Sequence, residues 1–302
     1  MDDAARHARR TQDGPARVRR VAPAVALAAA LLAAPGARAQ PLRTLSSARQ
    51  LHGETALTVD VTYAAGRFRL DSAAPGALYQ MVMRYDEDKF IPIREYDAAT
   101  GVLRLGLKTV GHVTLADHDE DDKPSLDLAL APGIPLALSV ELGAAEATAE
   151  FGGLSLRSLR YKTGASHTDL RFSRPNPIAC DSMDLEAGAA QLTATGLANA
   201  NCRHLTIGGG VGALTLDFSG DWRGPTDVDA HLALGELKLE VPRNLGVAIT
   251  LDRFLASFEQ NGFTKRGDVY YSGNYAATRA HLNVRVQSAF GGIQVVWVDA
   301  AP

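Results

Sequence analysis

Five times between Val140 and Val241 the chain repeats one pattern: an apolar residue, a glycine three positions on, then inward-facing positions four and six beyond the glycine. The copies are Val140/Gly143/Ala147/Ala149, Tyr161/Gly164/Thr168/Leu170, Leu185/Gly188/Leu192/Ala194, Ile207/Gly210/Leu214/Leu216 and Leu232/Gly235/Leu239/Val241. Successive glycines lie 21, 24, 22 and 25 residues apart, and an outlying copy, Tyr63/Gly66/Leu70, extends the pattern toward the N-terminus. Five positions past each glycine stand Thr148, Asp169, Thr193, Thr215 and Glu240, all polar. Alternation of this kind marks strands with one buried and one solvated face. A unit of two dozen residues cannot bury its apolar face alone, so it must stack on its neighbours at about 4.8 Å. The expected fold is all-β, a solenoid-like stack of short strands; a stack of β-coils and a rack of hairpins both fit the pattern.

The flanks read differently. Residues 40–133 are expected to form an antiparallel region, because Leu57, Val59, Val61 and Tyr63 alternate and Asp97–Gly101 reads as a turn between two strands. The repeat core then runs over 134–246. A closing segment, 247–302, begins with Leu251, Phe254, Leu255 and Phe258 at i, i+3, i+4 and i+7 before Asn261-Gly262, which predicts one short helix capping the open end of the sheet, followed by final strands at Leu282–Val286 and Ile293–Val298. An acidic run, Asp117-His118-Asp119-Glu120-Asp121-Asp122, interrupts the strand pattern. It is expected to be a solvated loop. Its alternate carboxylates leave Ca²⁺ as the other reading, although the glycine and glutamate of an EF-hand loop are missing.

Residues 1–39 carry six arginines ahead of an apolar stretch from Val21 to Ala34, then Ala37-Arg38-Ala39. This is the layout of a secretory signal peptide, expected to be cut after Ala39, and the apolar run is short for a membrane span. An uncleaved anchor is the alternative. Cleavage removes 7 of 31 Lys+Arg and 3 of 34 Asp+Glu, leaving 24 against 31 and a net charge near −7. An acidic body of this kind disfavours nucleic acid and anionic lipid as partners. No later run is long and apolar enough for a transmembrane helix. The expected location is periplasmic or extracellular.

Cys180 and Cys202 each precede a repeat glycine, Gly188 and Gly210, by eight residues. They occupy equivalent places on adjacent coils, where a spacing of about 4.8 Å suits a disulfide. A reduced stacked pair is the alternative. For catalysis the pickings are thin. Gly208-Gly209-Gly210-Val211-Gly212 is followed by a strand pattern rather than a helix, so it reads as a coil corner and not a phosphate loop. His167, His204 and His231 fall at three phases of the repeat and would not converge on a metal. Seven positions past the glycines stand Glu150, Arg171, Thr195 and Asp217, a mixed polar stripe to which Asp221 and Arg223 are close in sequence. Solvation explains that stripe; a carbohydrate-active enzyme is the functional alternative, with Asp217 and Asp221 to be tested first. No cofactor or metal site is expected.

Several phrases resemble the toast-rack modules of LiaF-like cell-wall-active antibiotic response proteins and their adhesin-like relatives: Leu159 to Ser166, Gly196 to Ala200, Leu216 to Trp222, Leu239 to Pro242 before Gly246-Val247, and Phe290 to Val295. The resemblance implies a non-catalytic protein of the cell envelope. In that family some members join such a module to a transmembrane region and restrain a stress-sensing kinase; no such region is expected in this chain once the signal segment is cut, so that role does not carry over directly. The expected function is a rigid scaffold that binds an envelope protein or glycan, with a regulatory role in envelope stress as the second reading. Exposed ends of the stack also make self-association an expectation.

Overall fold

The computed structural model describes residues 42–110, 123–259 and 261–299, all within one compact unit. The expected signal segment and acidic run lie outside the described residues. The five repeats fall on β7 (Pro135–Glu150), β8 (Ser155–Arg171), β9 (Cys180–Thr195), β10 (Cys202–Asp217) and β11 (Thr226–Pro242), each pairing in parallel with the next. A straight strand of 16 residues would span about 53 Å, yet only four residues separate the end of β7 from the start of β8. Each strand must therefore double back, and it does so at the glycines. Tyr63 and Phe68, on either side of one corner, bring their rings to 6.3 Å.

One extra residue at the corner changes the parity of the inward positions. On β7 Leu136, Leu138, Val140 and Leu142 are buried before the bend, and Ala145, Ala147 and Ala149 after it. The two halves thus face each other across a thin core that runs continuously through the stack. Solvated columns lie on both outer surfaces.

The N-terminal region is mixed rather than antiparallel. β1 (Arg43–Gln50) pairs antiparallel with β3 (Ala77–Tyr85), β3 with β6 (Ser125–Leu130), and β4 (Phe90–Asp97) with β5 (Val102–Thr109). But β2 (Leu57–Ser72) is itself a bent coil, parallel to β7 from Leu57 to Leu70. Its first half also pairs in parallel with β5 and its second half with β6. The pattern at Tyr63/Gly66 therefore belongs to the stack, and pairing crosses the expected boundary at 133/134.

At the other end the expected helix is a strand. β12 (Gly246–Phe258) pairs in parallel with β15 (His281–Val298), which inserts between β11 and β12. Between them the chain makes a hairpin of β13 (Phe263–Arg266) and β14 (Val269–Ser272). The misleading spacing has a physical cause. Inward residues of a bent strand keep one parity before the corner and the other after it, so Leu251 and Phe258, which both turn toward the core, are seven apart as on a helix. Leu255, which would share a helical face with them, is 64% exposed.

Candidate functional site

Register decides where the repeat residues sit. Gly143, Gly164, Gly188 and Gly210 align as one column down the corner, because their flanking residues pair in order. Gly235 does not join them. It pairs with Gly212, and Gly291 pairs with Gly235, two positions further along the strand. Gly66 likewise pairs with Ala145, two positions past Gly143. The expected alignment of Gly235 with Gly210 and of Gly66 with Gly143 is thus off by two residues. A slip of two keeps every side chain on its own face, so the hydrophobic pattern cannot detect it.

Cys180 and Cys202 form a disulfide across β9 and β10, with Cα atoms 4.3 Å apart and both residues buried. Around it the return turns are fastened by amides. Asn176 Nδ2 donates to the carbonyls of Leu156 (2.7 Å) and Ala200 (3.0 Å), Asn199 Nδ2 to Phe172 O (2.8 Å), and Asn201 Nδ2 to Ile178 O (2.9 Å). Asn201 takes a left-handed backbone, φ 55°, which asparagine tolerates better than most residues.

The polar stripe belongs to the same fastening. Glu150 Oε1 accepts from the backbone N–H of Gly152 (2.6 Å) and of Ser173 (3.1 Å), and Arg171 is its cross-strand neighbour on β8. Asp217, only 8% exposed, accepts from Gly196 N–H (3.2 Å), Ser219 N–H (2.9 Å) and Ser219 Oγ (2.6 Å). Asp221 receives Arg223 Nε at 3.1 Å, and Arg223 Nη1 reaches Asn176 O at 3.3 Å. Glu150, Asp217 and Arg223 thus tie one return turn to another.

On the outer face of the first strand halves, charges alternate from coil to coil. Arg160 lies 3.7 Å from Asp184 and 3.3 Å from Glu186, Lys162 2.6 Å from Glu186, and Arg285 3.1 Å from Asp229. Exposed pairs of this kind are worth about 0–1 kcal/mol each, so their main effect is a neutralised, ordered surface. The three histidines stay apart: His204 faces Asp227 at 3.9 Å, His231 Nδ1 contacts Gln287 at 3.0 Å and His167 Nδ1 contacts Gln191 at 3.2 Å. Among the described residues no cluster of His, Cys, Asp or Glu could hold a metal ion.

A concavity of about 450 Å³ opens beside the disulfide between the return turns and the start of β10 and β11. Arg203, His204, Trp222, Arg223 and Asp227 line it. Trp222 is half-buried, its indole held by Nε1 donating to Phe218 O at 3.0 Å. The result is a fixed aromatic edge among cations and a carboxylate, suited to binding a polar ligand with apolar patches. Spacing along the sequence exposes the cysteine pair, but it gives no sign of this cleft, because Trp222 and Arg223 come from the turn after β10 and Arg203 and His204 from the far end of that strand.

Bent strands stacked in parallel, closed by glycine corners and amide-fastened turns, define a β-repeat protein of the toast-rack class. The model of the N-terminal domain of toast_rack, DUF2154, matches residues 42–193, and the chain belongs to that family. Among solved structures, a putative cell adhesion protein from Clostridium sporogenes is 15% identical with a TM-score of 0.44, over 85% of this chain and 100% of that one. A putative adhesin from Bacteroides fragilis is 9% identical with a TM-score of 0.41, over 84% and 97%. No curated protein matches the chain. No helix among the described residues is long and apolar enough to cross a membrane.

Proposed function

We propose that this chain is an exported, non-catalytic protein of the cell envelope, an adhesin-like scaffold whose rigid β-surface binds a glycan. The observation that carries the reading is the cleft at Trp222. Its indole is immobilised, Arg223 is held by Asp221 and the Asn176 carbonyl, and the nearby disulfide locks the two coils beneath it. Sugars are recognised by such a combination, an aromatic surface for their C–H faces and planar polar groups for their hydroxyls. Catalysis is disfavoured because the carboxylates of the polar stripe's end, Asp217 and Asp221, are engaged in turn contacts. Export is supported by the disulfide, which persists in oxidising compartments.

Binding of the mature protein to an array of cell-wall and capsular glycans tests the proposal. Trp222→Ala and Arg223→Ala should each weaken the best ligand at least about tenfold, the loss of a hydrogen-bonded or stacked contact of about 1.4 kcal/mol. Unchanged binding in both variants would remove the cleft from the function. If the glycan emerged shortened, and shortening vanished in Asp217→Asn, the enzyme reading would replace this one. Envelope crosslinking that returned a single sensor kinase, with no glycan bound, would favour the regulatory role.

A further inference from the structure

The corner of the stack carries a second feature, distinct from the cleft. The position just after the glycine column is occupied, strand by strand from β7 to β12, by Ala144, Ala165, Ala189, Val211, Leu234, Phe290 and Leu255. Three alanines are followed by four large apolar residues. The large ones are held in the open: Val211 is 54% exposed, Leu234 51%, Phe290 46% and Leu255 64%. The alanine end is the complement, a depression of about 430 Å³ lined by Ala144, Ala165 and Ala189 and ending at Gly66 and Pro124. A ridge and a groove therefore share one edge and one repeat spacing, about 4.8 Å.

We infer that this corner is the interface of a two-fold symmetric dimer, with a second copy of the chain packed antiparallel along it. The two-fold lays the ridge of each copy into the groove of the other: Val211 over Ala189, Leu234 over Ala165, Phe290 over Ala144 and Leu255 at the Gly66–Pro124 end. The flanking columns agree with that direction. On one flank Glu186 meets the gap at Gly208, Lys162 meets His231 and Glu141 meets Gln287. On the other, His167 meets Glu236 and Gln191 meets Ala213. No like-charged carboxylates are brought together. The parallel arrangement sets ridge on ridge and places Glu141 against Glu146, which costs both packing and charge. Self-complementarity of this sort is what an isologous contact requires.

The size of the contact sets its strength. Seven strands make a strip of about 34 Å, and the six residues rounding each corner give a width of about 15 Å, so each copy buries on the order of 500 Å². The total, about 1,000 Å², is at the low end for a specific interface, the range of weak and transient associations. Single exposed apolar residues need no partner, but a contiguous row of four is unusual on a monomer.

Sedimentation equilibrium of the mature disulfide-bonded protein from about 1 to 200 μM tests the inference. A monomer–dimer equilibrium is expected, weakened at least tenfold by Leu234→Glu on the ridge and equally by Ala165→Glu in the groove, with circular dichroism unchanged. Ala165 is exposed, so that variant keeps the test alive if Leu234→Glu fails to fold. In the Ala165→Cys/Leu234→Cys double variant, oxidation should link the two positions between copies. A chain that stays monomeric throughout, a dimer indifferent to both charges, or a monomer whose Leu234 instead drives binding to zwitterionic vesicles would overturn it. The cleft variants at Trp222 and Arg223 should leave the equilibrium untouched, which separates this inference from the proposed ligand binding.

Discussion

The corners of β7, β8 and β9 and the corners of β10, β11 and β15 solve the same problem in two ways. In the first group the glycine sits where an added Cβ would press on the carbonyl of the preceding coil, as at Gly188, 3.0 Å from Gly164 O, with no left-handed backbone. In the second group the critical glycine lies two residues later and takes a positive φ, 145° at Gly212, 151° at Gly235 and 134° at Gly291. β10 carries both, Gly210 and Gly212, and is the coil where one geometry hands over to the other. The intervening side chain changes with it. Alanines stand beside the first column, while Val211, Leu234 and Phe290 stand beside the second and are turned outward. The size of the side chain between the two columns, alanine on β7 to β9 and valine, leucine or phenylalanine on β10, β11 and β15, makes the corner a groove or a ridge.

Substitution of glycines should separate the two corner types most sharply. A Cβ at Gly291 would lie 1.7 Å from Gly235 O on a backbone that side chains rarely adopt, so Gly291→Ala should cost roughly 3–5 kcal/mol, strain and overpacking together. Gly188→Ala needs a shift of a few tenths of an ångström and should cost about 1 kcal/mol. Equal losses in urea unfolding would mean that the two corners are alike. Next in size is the disulfide, which clips β9 to β10 at the changeover. Closing a loop of 22 residues, it should contribute about 3 kcal/mol, read as the drop in stability of the Cys180→Ala/Cys202→Ala pair.

The smallest effect concerns a buried phenol in the groove half. Tyr161 is fully buried and its hydroxyl has no hydrogen-bond partner among the described residues; burial pushes its pKa up. The folded state therefore holds the neutral form, and this contribution is complete below the unfolded value of about 10 and is lost as pH rises beyond it. Tyr161→Phe should change stability at pH 7 by less than about 1 kcal/mol and should flatten the alkaline loss by up to about 1.4 kcal/mol per pH unit. An unchanged alkaline slope would show that Tyr161 ionises without unfolding the chain.

Much of this organisation is legible in the sequence because a strand repeats every two residues. The inward set Val140, Leu185, Ile207, Leu192 and Leu216 follows from alternation alone, and the cysteine pair follows from equal offsets to two glycines. What alternation cannot supply is register. Shifting Gly235 from Gly212 to Gly210 moves no side chain across the sheet, so two alignments satisfy one pattern. The strand at Leu251–Phe258 is lost for a related reason, since a change of parity at a corner imitates a helical spacing. Nor does local sequence reveal that β15 passes between β11 and β12, or that β2 is parallel to β7; both are pairings between distant segments. The cleft at Trp222 escapes notice for another reason: its lining residues stand about one repeat apart along the chain, on no shared alternation.

Cysteine crosslinking across β10 and β11 tests the handover of corners most directly. Thr206 and Asp229 are neighbours on the outer face in this register, whereas a single glycine column would put His231 opposite Thr206. Oxidised Thr206→Cys/Asp229→Cys should yield the intramolecular 206–229 disulfide in peptide mass maps, with the native 180–202 bridge intact, while Thr206→Cys/His231→Cys should stay largely reduced. Efficient closure of 206–231 instead would align Gly235 with Gly210 and contradict the two-column stack on which the ridge and groove depend.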